Sequence, residues 1–447
     1  MFSFTAEDLF VLLPTLILGA GACLVMLVDM CLGQGDFKPR VVHALTVLLL
    51  AGAMSVSVYH YSDATPKHLE GHLGAAVAAA WNFRMHTVIS ALFIQVLTFL
   101  VLLSSGSWLD AEDRHHHGDY HALLLFFATG AIIFVSARNL ILAFLGLEIF
   151  SIALYVLVAF RRQRSISIEA GLKYFLLGAF AAAVFLFGAA LLYAGKGDLD
   201  IPELGAVSRP GLPSPVGFAA IGGGLLFVAL FFKASIAPFH MWTPDVYEGA
   251  PTPITALMST GTKAAAFLML MAVARLIPHE ILHLVPILTI ATILVGNFGA
   301  LVQNDIKRLL AYSGIAHAGY LMIGYCVLVG SEQYQAAAVS IRAILFYLAT
   351  YGITNLAALL VIAYLEKSDP SVVKLEGLRG LSRRNPVAAA VLGLAALSLA
   401  GIPPTAGFWG KYQIFAAALF AEMPVLAVIG ILFSVVGLFY YLKIIVH

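Results

Sequence analysis

Ionisable side chains inside otherwise apolar stretches are the residues of this sequence that could do chemistry. Glu148 is tenth in the run NLILAFLGLEIFSIALYVLVAF, and Lys233, Lys263 and Lys411 lie in FFKAS, STGTKAAAFLML and GFWGK. A charge at the centre of a bilayer costs roughly 2.5 to 3.5 kcal/mol, so these four groups must pair with one another or contact water. Their types predict a site that binds and releases protons.

Glu148 and Lys233 form the predicted acid–base pair, because a carboxylate beside an ammonium keeps both groups charged and separation favours loss of the lysine proton. Lys173, in GLKYFLLGAF, is a further candidate that cannot easily reach water. His240 and His317 could relay protons near neutral pH. Each of these residues, taken alone, also fits a packing or structurally paired side chain.

The composition defines where this chemistry takes place. The chain has 447 residues, of which 61% are hydrophobic and 11% charged, with a net charge of +1, whereas soluble proteins carry about 25% charged residues. This excludes an ordinary soluble protein and a basic nucleic-acid surface. Cys23, Cys31 and Cys326 lack metal-ligand spacing and are predicted to be small buried thiols. Histidines 115–117 are predicted to be solvated in a polar loop.

Apolar runs of the length that crosses a bilayer, about 20 residues, predict an all-α polytopic membrane protein. No Gly-rich phosphate loop or dinucleotide motif accompanies them, so we expect no cofactor and no metal in this chain. Thirteen spans are predicted: 9–28, 41–58, 86–105, 121–137, 139–160, 168–194, 216–240, 252–277, 281–302, 309–330, 335–365, 387–421 and 424–446.

The loops predict the orientation of these spans. Loops after odd-numbered spans hold thirteen Lys and Arg residues, and loops after even-numbered spans hold six. Positive loops stay in the cytoplasm, so the N-terminus is predicted to be periplasmic. The first span lacks a basic segment before it and is expected to remain uncleaved. Arg342 and Lys443 lie near span ends, from which they can extend to the interface.

Two spans are predicted to be broken, the seventh at Pro238 and the twelfth at Pro403 and Pro404, because proline removes helical hydrogen bonds. The segment 234–238, ASIAP, matches 400–404, AGIPP, at an offset of 166. Upstream identities recur at an offset of 165 and place Tyr155 opposite Tyr320. These matches predict two five-helix repeats, which are inverted because five is odd. The predicted domains are three N-terminal helices (1–118), a first repeat (119–278) and a second repeat (279–447).

Longer motifs carry a family resemblance. FFKASIAPFHMWTPDVYEGAPTPITALMSTGTKAAAF, GLEIFSIALYVL, NDIKRLLAYSGIAHAGY and GIPPTAGFWGK closely resemble the antiporter-like subunit N family of bacterial respiratory complex I, the proton-pumping NADH:quinone oxidoreductase. The resemblance covers roughly residues 120–446. That family shares its fold with the large subunits of Na+/H+ antiporters and has fourteen spans. The thirteen spans predicted here imply either that the sequence is truncated or that the protein lacks the last helix.

The resemblance also implies roles for individual residues. Glu148 corresponds to the family's fifth-helix glutamate and Lys233 to the seventh-helix lysine paired with it. Lys263 corresponds to the central eighth-helix lysine and Lys411 to the twelfth-helix residue towards the proton exit, where subunit M usually has glutamate. Subunit L is disfavoured because this chain lacks its long lateral helix. Lys173 resembles a sixth-helix lysine with a supporting role.

The implied activity is proton translocation from Lys233 through Lys263 to Lys411, driven by quinone reduction elsewhere in the complex. NADH, FMN, iron–sulfur clusters and quinone are then expected in partner subunits. The partners are expected to be other membrane subunits, including neighbouring antiporter-like ones, within the lipid bilayer of the bacterial inner membrane, with no nucleic acid. Two alternatives stay open: a subunit of a multi-subunit Na+/H+ antiporter, and a passive membrane scaffold.

Overall fold

A computed structural model describes residues 5–32, 37–62, 74–112, 116–201, 217–331 and 333–446. These residues form helices joined by short connections, and the only β pairing among them consists of isolated bridges. The prediction of an all-α protein is therefore confirmed.

The helices follow one another along the chain with little other structure between them. We number them α1 to α18: Ala6–Cys31, Phe37–Ser62, Ala75–Ala80, Met85–Glu112, His117–Ser136, Leu140–Val158, Ser165–Lys196, Phe218–Ala234, Trp242–Gly249, Thr252–Leu257, Lys263–Ala272, Leu284–Leu301, Ile306–Gly330, Tyr334–Glu366, Leu381–Arg384, Pro386–Ala400, Ala406–Phe420 and Pro424–Val446. A π-helical turn, Met258–Thr262, joins α10 to α11.

Within the described residues, eleven helical stretches are long and apolar enough to cross a membrane. Two shorter apolar helices, α8 and α16, begin the seventh and twelfth predicted spans. All thirteen predicted spans therefore contain an apolar helix, and the prediction of a polytopic membrane fold is confirmed. The domain boundaries at 118 and 278 stay predictions.

The two predicted breaks are present, and their backbones follow the same course. Helix α8 ends at Ser235 with φ 62°, and α16 ends at Gly401 with φ 84°, both left-handed caps. A cis X-Pro bond follows each cap, at Pro238 and Pro404. A short helix follows each break: α17 lies within the twelfth predicted span, whereas α9 begins just after the predicted end of the seventh. This equivalence agrees with the repeat offset of 166 in the sequence.

Glycines bring α5 and α6 into direct backbone contact. A Cβ atom at Gly130 would lie 2.5 Å from the Phe150 nitrogen, and one at Gly146 would lie 2.5 Å from the Phe134 nitrogen. Small residues at a helix crossing permit such close approach in a membrane protein. The crossing fixes the helix that carries Glu148 against its neighbour.

Several expectations about single residues were wrong. Cys23 and Cys31 are exposed, and only Cys326 is buried. His117 is buried in the first turn of α5 rather than in a solvated loop, while residue 115 lies outside the described residues. Lys443 Nζ donates to the carbonyl of Leu301, the last residue of α12, at 2.6 Å, and its position at the interface stays a prediction.

Candidate functional site

Lys233 lies in the last turn of α8 and is only 4% exposed. Its Nζ atom donates to Ser151 Oγ at 2.8 Å. The rings of Phe150, Tyr155 and Tyr174 surround the ammonium, with centroids 5.2, 5.6 and 5.2 Å away. Aromatic faces attract a cation, so this pocket holds a charged lysine without a carboxylate in contact.

Glu148 is close to this lysine but does not form the predicted ion pair with it. Both residues belong to the described part of the chain, and no oxygen of Glu148 lies within 4.0 Å of the ammonium. Ser151, one turn further along α6, is the group that Lys233 contacts, and it donates in turn to the carbonyl of Leu147. Glu148 Oε1 is buried without a hydrogen-bond partner among the described residues. The serine hydroxyl thus takes the position that the sequence assigned to the carboxylate.

Side chains satisfy the polar backbone groups that the first break exposes. Trp242 Nε1 donates to the carbonyl of Phe232 at 3.0 Å, and Thr292 Oγ1 accepts from the backbone N–H of Ala237 at 3.0 Å. Thr243 donates to Ser235 Oγ at 2.8 Å. Non-helical backbone is tolerated at membrane depth where protein groups satisfy it in this way.

Lys263 follows the π-helical turn and is 1% exposed. Its Nζ atom lies 3.4 Å from the carbonyl of Ala234, the residue after Lys233. A Cβ atom on Gly314 would lie 3.7 Å from the same Nζ atom, so the lysine rests directly on α13. Lys263 therefore lies between the first break and α13. Single π turns inside helices are common at functional sites.

His317 lies one turn beyond Ser313 on α13, inside a group of hydroxyls. Its Nδ1 atom is 2.6 Å from Tyr347 Oη, and its Nε2 atom is 2.9 Å from Tyr441 Oη. Ser313 Oγ is 2.5 Å from the same Tyr441 hydroxyl. The ring of Tyr351 lies against the imidazole, with the centroids 4.8 Å apart. Both imidazole nitrogens are therefore engaged by groups that donate and accept protons.

Lys411 lies in α17, beyond the second break, and is 4% exposed. Its Nζ atom donates to the carbonyl of Ala400 at 2.9 Å and to Ser434 Oγ at 2.9 Å. The ring of Tyr320 lies 5.1 Å from the ammonium. Ala400 ends α16 as Ala234 ends α8, so a lysine approaches the last carbonyl before each break. Sequence offsets of 166 and 165 relate the two alanines and the two tyrosines that face lysines.

The two remaining candidates occupy different environments. Lys173 is not inaccessible like the other candidate lysines, because its side chain is 43% exposed, and it forms ion pairs with Glu169 at 2.8 Å and Asp245 at 2.9 Å. His240 is half-buried, and its Nδ1 atom has no hydrogen-bond partner among the described residues.

Sequence reasoning missed the hydroxyls that join the predicted residues. Ser151 had a detectable signal, because it lies three residues after Glu148 and so shares its helix face. Tyr441 had none, since 124 residues separate it from His317. As for metals, no three His, Cys, Asp or Glu side chains of the described chain are placed to hold an ion.

Comparisons with known proteins agree with the family resemblance of the sequence motifs. A family model described as NADH:quinone oxidoreductase/Mrp antiporter, TM, matches residues 137–437. NADH-quinone oxidoreductase subunit N 2 of Koribacter versatilis is 38% identical over 100% of this chain and 88% of its own length. A chain of respiratory complex I from Thermus thermophilus is 34% identical, with a TM-score of 0.74, over 97% of this chain and 89% of that one.

An antiporter chain shares the fold more distantly. A chain of the Mrp complex from Dietzia is 21% identical, with a TM-score of 0.78, over 99% of this chain and 80% of that one. At this identity the likeness shows the fold alone. With the family model and the full-length relative together, the chain belongs to the NADH:quinone oxidoreductase/Mrp antiporter family of membrane proteins and, within it, to the subunit N group.

Proposed function

We propose that this chain is a proton-translocating membrane subunit of an NADH:quinone oxidoreductase and that its buried lysines carry the protons. Membership in the subunit N group supports the first part. The observation that carries the second part is the set of three nearly inaccessible lysines within the predicted spans, each facing backbone or hydroxyl oxygens rather than a carboxylate. Lys307, which is as buried, lies just before the tenth predicted span and is not part of the route. Charges so deeply buried are expensive to keep and mark ion pathways in membrane proteins.

The proposed route begins at Lys233 and crosses the first break to Lys263, whose Nζ atom faces the carbonyl of Ala234. From Lys263 the proton passes along α13 to His317. The hydroxyl of Tyr441 touches both His317 and Ser313. Lys411, over the ring of Tyr320, is the last group before the exit. His240 is a side member of the route beside Lys263.

Glu148 is the proposed control of this route. When quinone reduction elsewhere changes the field at one end of the subunit, the attraction between Glu148 and Lys233 changes. Lys233 then exchanges its proton. Ser151 supports this role, because a hydroxyl between the carboxylate turn and the ammonium lets the two charges separate or approach without a large backbone movement. Lys173 has a supporting role outside the buried route.

The surroundings of the subunit are part of the same proposal. The protein would lie in the bacterial inner membrane with its N-terminus in the periplasm, beside other membrane subunits that include antiporter-like ones. NADH, FMN, iron–sulfur clusters and quinone would be held by partner subunits. The two inverted repeats, 119–278 and 279–447, would each supply half of the channel.

The alternatives are less well supported. An antiporter chain shares the fold at 21% identity, whereas a subunit N is 38% identical over the whole chain. A passive scaffold would gain nothing from three buried lysines, each of which costs roughly 2.5 to 3.5 kcal/mol at the membrane centre.

Replacing Lys233 with alanine tests the function. We expect Lys233→Ala to remove at least nine-tenths of proton pumping by the assembled complex in proteoliposomes, because no other group at the end of α8 can hold the proton. The matched control is Arg342→Ala, since Arg342 is a cation within a span and its side chain donates to its own helix, at the carbonyl of Ala338. Full pumping by an assembled Lys233→Ala complex would refute the proposal.

A further inference from the structure

Five alternating charges line a pocket of about 190 Å³ beside the broken seventh span. Lys173 Nζ lies 2.8 Å from Glu169 and 2.9 Å from Asp245. Arg308 Nη1 lies 2.8 Å from the other oxygen of Asp245 and 2.7 Å from Glu248. We call these five residues the charge row. Asp245 is its centre, because it alone contacts both cations.

The charge row holds α9 between two longer helices. Asp245 and Glu248 lie on α9, Glu169 and Lys173 on α7, and Arg308 on α13. These contacts reach α9 from both sides, so its position depends on the charge row.

Two further contacts fix the C-terminal end of α9. Lys307 donates to the carbonyls of Glu248 and Ala250 at 2.7 and 2.6 Å. Gly249 packs against α7 so closely that a Cβ atom would lie 2.5 Å from the carbonyl oxygen of Ile166. The end of α9 near residue 250 is thus anchored through backbone groups. The first turn is held by the hydrogen bonds of Trp242 and Thr243 to the first break, and the charge row holds the face of the helix that carries Asp245 and Glu248.

Trp242, the first residue of α9, stacks on a ring that contacts Lys233. The ring of Trp242 is stacked on Tyr174, with centroids 4.8 Å apart, and Tyr174 lies 5.2 Å from Lys233 Nζ. Lys173 of the charge row directly precedes Tyr174 in α7. The Trp242–Tyr174 stack therefore connects α9, which carries Asp245, to a ring that contacts the buried lysine. A movement of α9 away from α7 would separate the two rings.

We propose that the charge row is a latch and that Asp245 is the positioning residue that controls proton intake from the pocket to Lys233. The inference rests on the proposed function of Lys233. Half-exposed ion pairs are individually weak and are screened by salt, so a row of four holds α9 closed and still releases it. Release lifts Trp242 from Tyr174 and opens the pocket to Lys233. Because Arg308 and His317 share α13, the same latch links intake to the second repeat.

Hydrogen–deuterium exchange and pumping of the assembled complex test the latch. With Asp245→Asn, we expect amide exchange in residues 242–249 to rise at least five-fold while the other spans keep their rates. Protons pumped per NADH should fall at least two-fold with NADH oxidation maintained, because an unlatched α9 no longer gates intake. Asp245→Glu keeps both ion pairs and should restore both values.

Asp369→Asn is the matched control. Asp369 is 38% exposed and pairs with Arg384 at 3.2 Å, much as Asp245, at 40%, pairs with its cations, but its partners lie in 371–384 and not on α9. This variant should exchange and pump as the unmodified complex does. An equal effect of Asp369→Asn would overturn the latch, because it would show that any lost ion pair acts in this way.

A salt titration of the unmodified complex gives a second test that needs no variant to assemble. Exchange in residues 242–249 should rise with ionic strength, and Lys173→Gln, which removes one of the two partners of Asp245, should weaken that dependence. Salt-independent exchange, or an Asp245→Asn complex that exchanges and pumps normally, would overturn the latch. If Lys233→Ala still abolishes pumping in that case, the proposed function stands and only the latch fails.

Discussion

At the scale of single residues, the three buried lysines differ in what they contact. Lys233 has one hydroxyl and three rings, Lys263 has a single carbonyl at 3.4 Å, and Lys411 has a carbonyl and a hydroxyl, each at 2.9 Å. Hydrogen bonds from the ammonium favour its charged form. Lys411 thus has the most hydrogen-bond partners of the three lysines, which suits the end of the proposed route.

Substitutions of Lys411 separate proton transfer from packing. Lys411→Ala and Lys411→Met should both lose most of the proton pumping, since neither side chain titrates and Met keeps the length of lysine. Lys411→Glu should retain more, because it keeps a titratable group, although it can donate to the Ala400 carbonyl only when it is protonated. Proton uptake by proteoliposomes measures this order. Equal losses in all three variants would contradict a relay role for Lys411.

The charged members of the site were predictable from sequence, and their connections were not. Lys233, Lys263 and Lys411 are conspicuous because apolar residues surround them in the sequence. Ser151 and Tyr441, whose hydroxyls connect these groups, do not stand out from the other residues of their helices in the sequence. Their importance comes from contacts between segments 82 and 124 residues apart, which leave no periodic pattern.

At the scale of elements, the two breaks show how much a proline pattern predicts. Proline placed each break correctly, and the offset of 166 predicted the equivalence of Ala234 and Ala400. The pattern did not predict the left-handed caps at Ser235 and Gly401. Serine rarely adopts a positive φ, so nothing in ASIAP marks its cap in advance.

Gly401→Ala should impair the second break in two ways. An alanine at φ 84° costs about 1 to 2 kcal/mol, and its Cβ atom would lie 3.0 Å from Cδ and 3.3 Å from Nζ of Lys411. We expect lower thermal stability of the purified complex and weaker pumping. Gly393→Ala, in the same helix with open space around its Cβ position, is the control and should be neutral or stabilising. A Gly401→Ala complex no worse than this control would show that the cap does not position Lys411.

At the scale of the whole molecule, a buried ion pair joins two segments that are distant in the chain. Arg161, which follows α6, lies 2.9 Å from Glu366 at the end of α14, and their side chains are 4% and 6% exposed. Thr252 donates to the same carboxylate at 2.5 Å. In the sequence, Arg161 directly follows the fifth predicted span and is one of the loop cations. Its pairing was not predictable, because its partner is 205 residues away. Span counting predicts the order of helices and gives no information about such contacts.

Removing this carboxylate should lower the free energy of unfolding of the protein. Glu366→Ala leaves the buried guanidinium of Arg161 without that partner, and breaking a buried pair costs about 3 to 5 kcal/mol. The control Asp198→Ala removes an exposed pair with Lys196 and should cost no more than about 1 kcal/mol. Thermal unfolding of the purified complex compares the two. Similar thermal unfolding midpoints for both variants would show that the Arg161–Glu366 pair does not stabilise the fold.

The hydroxyls around His317 have a consequence for the timing of conduction. Ser313, Tyr441 and Tyr347 are each able to give and to take a hydrogen, so the series has two polarities of equal connectivity. Passage of one proton reverses the polarity of every bond in the series, and each O–H must rotate back before another can follow. Along the proposed route, transit would therefore be single-file with a reset after every cycle, and the same series would conduct backwards when the driving force is inverted.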